Sequence, residues 1–322
     1  MVKPRLGEFV GLGASLVLLI ALFSGLSDHF FSRITFVTIA NQIPALTVIA
    51  VGLTLVLVAG GIDLSVGSVM ALGSSVLALA RVSWGMPLPI AVLLCLAVGL
   101  IAGAINGFVT VRWAVPSFIV TLGMLEVARG GAYLVTGSRS VFVGDAMGGL
   151  GSPLPLIGLS PAFVMAVLVV IAGQILLSNT VLGRYLVAIG ANVEAVRYSG
   201  VNPRPVLITV FVISGALAAI AGVFHLAYLE SADPNTGIGL ELSAIAAVVI
   251  GGTSLMGGRG STVSSFLGVL IIAVLQTGLA QIGASEPMKR IVTGTVIVAA
   301  VILDAYRRNL SRRRARDRGE IR

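Results

Sequence analysis

Side chains able to do chemistry are few here, and most lie within or beside long apolar runs. The loop Ala59-Gly60-Gly61-Ile62-Asp63-Leu64-Ser65 sets a carboxylate and a hydroxyl just ahead of a hydrophobic segment. An acid at a helix start accepts backbone N–H bonds and complements the dipole. Asp63 is therefore read either as a cap at a broken-helix junction or as a group beside a permeation path. Glu126 and Arg129 stand three apart in an apolar run, a spacing that lets them meet on one helix face. Because an unpaired charge at membrane depth is costly, they are expected to form an ion pair; the alternative is that they hydrogen-bond a passing solute. Asn41, Gln42, Asn106, Thr121, Gln174, His225 and Gln276 are further polar groups in apolar surroundings. Interhelical hydrogen bonds account for most such residues. Should the chain form a path through the membrane, Asn41, Gln42, Asp63, Asn106, Thr121 and Glu126 are the candidates to line it.

Several chemistries are missing from the sequence. A phosphate-binding loop needs a glycine-rich turn running into Lys and Ser or Thr, but the lysines are Lys3, after Val2, and Lys289, after Met288. Nucleotide hydrolysis is thus assigned to another chain, and this one is not expected to be an enzyme by itself. His29 and His225 are far apart and Cys95 is the single cysteine, so neither a zinc cluster nor a thiol-centred catalytic group is expected. No catalytic residue, metal or cofactor is anticipated.

The elements that hold these residues follow from composition. Of 322 residues, 57% are hydrophobic and 11% charged, against roughly 25% charged in an ordinary soluble domain, so most of the surface must face lipid. The net charge of +8 comes from residues scattered through short loops and a tail, which argues for membrane orientation and against nucleic acid. A bilayer core of about 30 Å needs roughly 20 apolar helical residues. That window predicts an all-α polytopic membrane protein of about ten transmembrane helices, some broken or short. The spans fall near 8–26, 38–60, 64–82, 88–111, 115–136, 161–178, 205–229, 239–257, 262–282 and 288–305. The first apolar run is too long for a signal-peptide core and lacks a small-residue cleavage site, so it is read as an uncleaved helix.

With the N terminus inside, Arg112, the 184–204 loop, Arg259 and the tail all fall on the cytoplasmic side, leaving Arg33, Arg81, Arg129, Arg139, Lys289 and Arg290 outside or near outer ends. The positive-inside rule favours this arrangement, with both termini cytoplasmic. The membrane domain is drawn at 1–306 and a basic cytoplasmic tail at 307–322, whose eight arginines suit anionic headgroups. Rows such as Gly99, Gly103 and Gly107, or Gly215 and Ala219, predict close helix crossings. A glycine-rich echo between 60–65 and 251–255 leaves open whether the chain carries an internal repeat.

Two polar segments interrupt the pattern. In the first, 183–200, Glu194 to Tyr198 read as a short amphipathic helix that either docks on a soluble partner or rests on lipid headgroups. The second, Glu230 to Glu241, is rich in turn residues, with Asp233, Asn235, Thr236 and Glu241 as candidates for contact with a binding protein.

Four long segments, AGGIDLSVGSVMAL (59–72), VPSFIVTLGMLEVARG (115–130), GRYLVAIGANVEAVRYSGV (183–201) and ELSAIAAVVIGGTSLMGGRGS (241–261), resemble the permeases of ribose-type carbohydrate ABC importers. The resemblance runs from about Asn41 to Tyr306. It implies a homodimeric or heterodimeric bundle in the bacterial cytoplasmic membrane, paired ABC ATPase subunits, and a periplasmic or extracellular sugar-binding protein. It also implies that the 183–201 loop is the coupling helix seated in a groove of the ATPase, with Arg184, Asn192, Glu194, Ala195, Arg197, Ser199 and Gly200 as its residues. Ser243 departs from related sequences, which often carry an acid there. A branched-chain amino acid permease of the same superfamily and an ion-coupled secondary transporter are the alternatives; the latter would need acids at membrane depth as a relay.

Overall fold

The structure is a computed structural model that describes residues 6–155, 157–296, 298, 299 and 302. The basic tail at 307–322 and the domain boundary at 306 lie outside the described residues.

The described chain is almost wholly helical, in the order α1 (Leu6–Leu26), α2 (Arg33–Gln42), α3 (Pro44–Val58), α4 (Val66–Val82), α5 (Leu88–Trp113), α6 (Ser117–Thr136), α7 (Pro161–Asn179), α8 (Val181–Ala191), α9 (Val193–Tyr198), α10 (Pro203–Leu229), α11 (Leu240–Ile250) and α12 (Thr262–Gln281). A further helical stretch covers 286–296. A small antiparallel ladder pairs β1 (Val141–Phe142) with β2 (Ser231–Ala232), matching Val141 to Ala232 and Phe142 to Ser231.

Helix boundaries follow local chemistry. Ser160, Thr180, Asn192, Asn202 and Ser261 each accept a backbone N–H from the first turn of the helix they precede. Proline at the start of α3, α7 and α10 stands where its missing N–H is not needed. Pro44 also stops α2, so α2 and α3 meet at a 50° bend.

Six helices (α1, α5, α6, α7, α10 and α12) are long and apolar enough to cross a membrane, or seven with the bent α2–α3 pair counted as one span. This polytopic helical architecture agrees with the sequence reading at the coarse level, but two expected spans are shorter than hydropathy suggests. The 64–82 segment is a helix of 17 residues, and the 239–257 segment is a helix of 11 residues followed by a loop. The stretch at 288–305 is helical at every described residue. Glycines explain the second case: Gly251 and Gly252 end α11 with Gly252 in the left-handed region at φ +86°, and Gly257 and Gly258 keep the following chain in a turn.

At the centre of the bundle, α10 packs on α5, α3 and α4, while α11 and α12 form a second layer beside α3 and α1 lies outermost against α12. The α5–α10 crossing is made by backbone: a Cβ on Gly99 would strike the Gly215 carbonyl, and one on Gly215 would strike the Gly99 carbonyl. Lipid gives helices little hydrophobic reason to associate, so such close approach supplies the dispersion contact that holds them. The two ends of the bundle differ in character. One carries α9 and the turns after α3 and α11; the other carries the β1–β2 ladder and the 144–160 loop.

Candidate translocation cavity and partner-facing helix

The α3–α4 linker is tied down by a buried polar knot. Asp63, 1% exposed, accepts from the Ser65 N–H (3.0 Å) and hydroxyl (2.6 Å) through Oδ1, and from the Ser214 hydroxyl of α10 through Oδ2 (2.8 Å). Asn106 of α5 donates to Ser65 Oγ at 3.0 Å. From α6, Ser117 accepts the Ile62 N–H, while Thr121 accepts the Leu64 N–H and donates to the Ile62 carbonyl. Helices α5, α6 and α10 are thereby fixed around a linker whose own backbone groups would otherwise be unpaired in an apolar medium.

Arg129 and Glu126 do not form the expected ion pair. The Arg129 guanidinium reaches across to the β2–α11 segment and donates to the carbonyls of Pro234 (2.5 Å) and Thr236 (2.7 Å), while Glu126 is exposed. The reason is that residues 233–239 run as irregular chain whose carbonyls need donors. A guanidinium with several N–H groups satisfies two of them, whereas a bond to the exposed Glu126 would leave both bare.

The 230–241 segment is held in place by its own residues. Asp233 accepts from the Ser140 hydroxyl at 2.7 Å and the Asn235 N–H at 2.7 Å, and these bonds, the Ser140 one first, hold its carboxyl below the ordinary 3.8. Asn235 Oδ1 accepts from the Tyr133 hydroxyl at 2.5 Å. Thr236 lends its carbonyl to Arg129, and Glu241 turns inward, with Oε1 accepting from Gly239 N–H at 3.1 Å. Of the binding-protein candidates, then, Asp233 and Asn235 lie on the ladder end of the surface and Glu241 faces the core.

Between α2, α10, α11, α12 and the 286–294 stretch lies a cavity of about 910 Å³. Its polar lining includes Thr38, Gln42, His225, Gln276 and Thr277. Of the residues expected along a path, Gln42 lines this cavity. Its neighbour Asn41 points elsewhere, donating to the Gly158 carbonyl (3.0 Å) and accepting from Ser160 N–H (2.7 Å) to anchor the 144–160 loop. Asp63, Asn106 and Thr121 are brought together in the knot, and Glu126 stands apart from both. The signal for the cavity was present in the sequence as spacing: Thr38 and Gln42 are one turn apart, as are Ala273, Thr277 and Gln281. Gln174, by contrast, does make the anticipated interhelical bonds, accepting from Ser261 Oγ and Thr262 N–H at the start of α12.

At the opposite end, α8 runs from its Thr180 cap to Ala191, and Asn192 caps α9 by accepting the Ala195 N–H at 3.0 Å. Val196 is the buried foot of α9, whereas Tyr198 is 90% exposed. Glu194 and Arg197 pair on the exposed face at 2.7 Å, and Arg184, Ala195, Ser199 and Gly200 are also exposed. Below α9, the Gly258 N–H donates to the Val58 carbonyl at 2.9 Å, and Gly190 packs so closely on Val58 that a Cβ would collide. Gly190 of α8 thus rests on the end of α3 with no side chain between their backbones, and α9 itself packs on α8 and α10. Beside it, Arg197, Val201, Asn202 and Arg204 line a surface hollow of about 400 Å³.

Long apolar helices around a polar-lined cavity, with a short charged helix standing off one end, are the features of a membrane permease worked by a separate partner. The chain belongs to the family described as branched-chain amino acid transport system / permease component, which matches residues 35–301. Among its relatives, the ribose import permease protein RbsC of Escherichia coli (strain K12) is 40% identical over 90% of this chain and 91% of its own. The galactofuranose transporter permease protein YtfT of the same strain is 38% identical over 84% of this chain and 80% of its own. The fructose import permease protein FrcC of Rhizobium meliloti is 33% identical over 89% of this chain and 82% of its own. No solved structure matches this chain.

Proposed function

We propose that the chain is the membrane-spanning permease subunit of an ATP-binding-cassette importer, and that it carries a sugar delivered by a binding protein outside the cell. The family and the sugars in its relatives' names support this reading over a branched-chain amino acid, and ATP hydrolysis belongs to a separate chain. In this reading the protein works in the bacterial cytoplasmic membrane as a dimer of identical or related permeases. Ten membrane segments result if α4, α11 and the helix beginning at 286 are counted with the longer spans. The α9 end faces the cytoplasm, together with both termini; the exposed Arg184, Arg197 and Arg204 at that end support this by the positive-inside rule. Asp233 and Asn235 on the opposite end are offered to the binding protein.

One observation carries the ATPase contact: α9 exposes Glu194, Arg197 and Tyr198 beside an open hollow while its base rests on the ends of two helices. A rim charge pair and an exposed aromatic suit a protein groove. Force on α9 would reach α3 through α8, whose Gly190 lies directly on the end of α3. Replacing Glu194 and Arg197 by alanine should leave the chain folded in the membrane but reduce the ATPase subunit recovered with it in mild detergent. Full recovery of a coupled ATPase with the double variant would remove α9 from that role.

A further inference from the structure

We infer that the cavity between α2, α10, α11, α12 and the 286–294 stretch is where an uncharged, polyhydroxylated solute is held in passage, with Gln42, Gln276 and Thr277 supplying its hydrogen bonds. This rests on the importer reading and adds to it the place and the groups that meet the solute.

The argument begins with which polar groups are already engaged. In the Asp63 knot nearly every polar atom has a partner inside the chain, so those side chains have little left to offer. Around the cavity the opposite holds. Among the described residues, the side chains of Thr38, Gln42, Gln276 and Thr277 make no hydrogen bond within the chain, and His225 Nε2 is buried without a partner. Gln42 and Gln276 are exposed on the cavity side, so their donors and acceptors are free to meet water or a ligand, and the buried His225 Nε2 is costly unless such a group reaches it. An amide offers a donor and an acceptor side by side, which suits a hydroxyl that both gives and takes a hydrogen bond.

Charge selects the class of solute. The α11 N-terminus, which would attract an anion, is already answered by Glu241, whose Oε1 accepts from Gly239 N–H. The charged lining residues Glu286, Lys289 and Arg290 all belong to the 286–294 stretch; Lys289 is paired with Glu286 at 3.2 Å, and Arg290 is exposed. The lining contributed by α2 and α12 carries no charge, which suits a neutral solute. Leu46, Leu240 and Met70 add apolar wall for the C–H faces of a sugar ring, and the volume of about 910 Å³ lies within the range of roughly 300–1,000 Å³ usual for small-molecule sites.

The test uses the assembled importer in proteoliposomes. Ribose, fructose and galactose are first screened for ATP-dependent uptake; if none is carried, the sugar reading falls and this inference with it. With the sugar that is carried, Gln42→Leu and Gln276→Leu should each lower uptake by roughly tenfold or more, the penalty expected when a site built to hydrogen-bond a hydroxyl loses its partner. Co-purification of the ATPase subunits with these variants reports that assembly is intact. Because the sole native cysteine, Cys95, is buried, Thr277→Cys provides a second readout: a small hydrophilic thiol reagent should label it, and saturating sugar should slow that labelling. Wild-type uptake by both leucine variants, or labelling that the transported sugar does not slow, would place the solute elsewhere while leaving the importer reading intact.

Discussion

Asp63 shows how one side chain can satisfy several groups at once in a membrane interior. Its carboxylate receives the Ser65 N–H, the Ser65 hydroxyl and the Ser214 hydroxyl, so its removal strands three donors that water cannot reach. Each stranded buried group costs about 1–3 kcal/mol, and partial relaxation should leave Asp63→Ala destabilised by roughly 2–4 kcal/mol. Asp63→Asn keeps an acceptor oxygen and should lose less than half as much. Thermal unfolding in detergent, followed by the fraction remaining monodisperse, measures the difference; equal losses for both substitutions would mean that the knot does not depend on these acceptor bonds. The sequence made Asp63 visible as a cap or a path group, because an acid beside two glycines ahead of an apolar run must either hold the backbone or meet a solute. Of the other side chains in the knot, Asn106 and Thr121 were visible only as isolated polar residues and Ser214 was not singled out, since nothing in a linear sequence says which helices will be neighbours. Asn41 and Gln42 show the same limit: one step along a helix turns a side chain by about 100°, which here separates a loop anchor from a cavity wall.

At the level of elements, the small-residue rows read from the sequence do become helix crossings. Gly99, Gly103 and Gly107 of α5 all face α10, each with a backbone atom where a Cβ would go. Gly215→Ala should therefore force the two helices apart at a cost of about 1–3 kcal/mol, as overpacking does elsewhere. Gly123→Ala is the matched control: it lies inside α6 with nothing near its would-be Cβ, and alanine is the better helix former, so it should be neutral or stabilising. A comparable loss at both positions, measured by thermal unfolding in the same detergent, would deny the crossing its role. The echo between 60–65 and 251–255 also has a local cause. Both stretches end a helix in a left-handed glycine, Gly60 at φ +83° and Gly252 at φ +86°, and both return an N–H to the preceding turn, from Gly61 to Val56 and from Thr253 to Val248. Both turns satisfy helix-end carbonyls, a common task that glycine-rich sequence serves in each. Hydropathy drew the 239–257 span longer than its helix for a related reason: it measures how apolar a segment is, not whether its backbone stays helical, and the glycines after α11 end the helix inside an apolar run.

For the whole molecule, the polar-lined cavity and α9 stand at opposite ends of the α3 core, and the route between them runs through tightly packed backbone. Nucleotide and binding protein can bias such a bundle only by preferring one of its states, and α9 and the ladder end are the surfaces on which we propose those preferences are exerted. Most of this division was legible beforehand, because charge excluded from lipid collects at the ends of a bundle; of the cavity only the one-turn spacing of its polar residues was legible, because its walls come from α2, α10, α11 and α12, which are distant in the chain. The most direct measurement is solute uptake into proteoliposomes holding the permease, its ATPase subunits and the binding protein, with ion gradients collapsed by ionophores. An ATP-driven importer predicts sugar accumulation that requires ATP and is indifferent to the ionophores. Uptake that proceeds without ATP and disappears when the ion gradients are collapsed would contradict it.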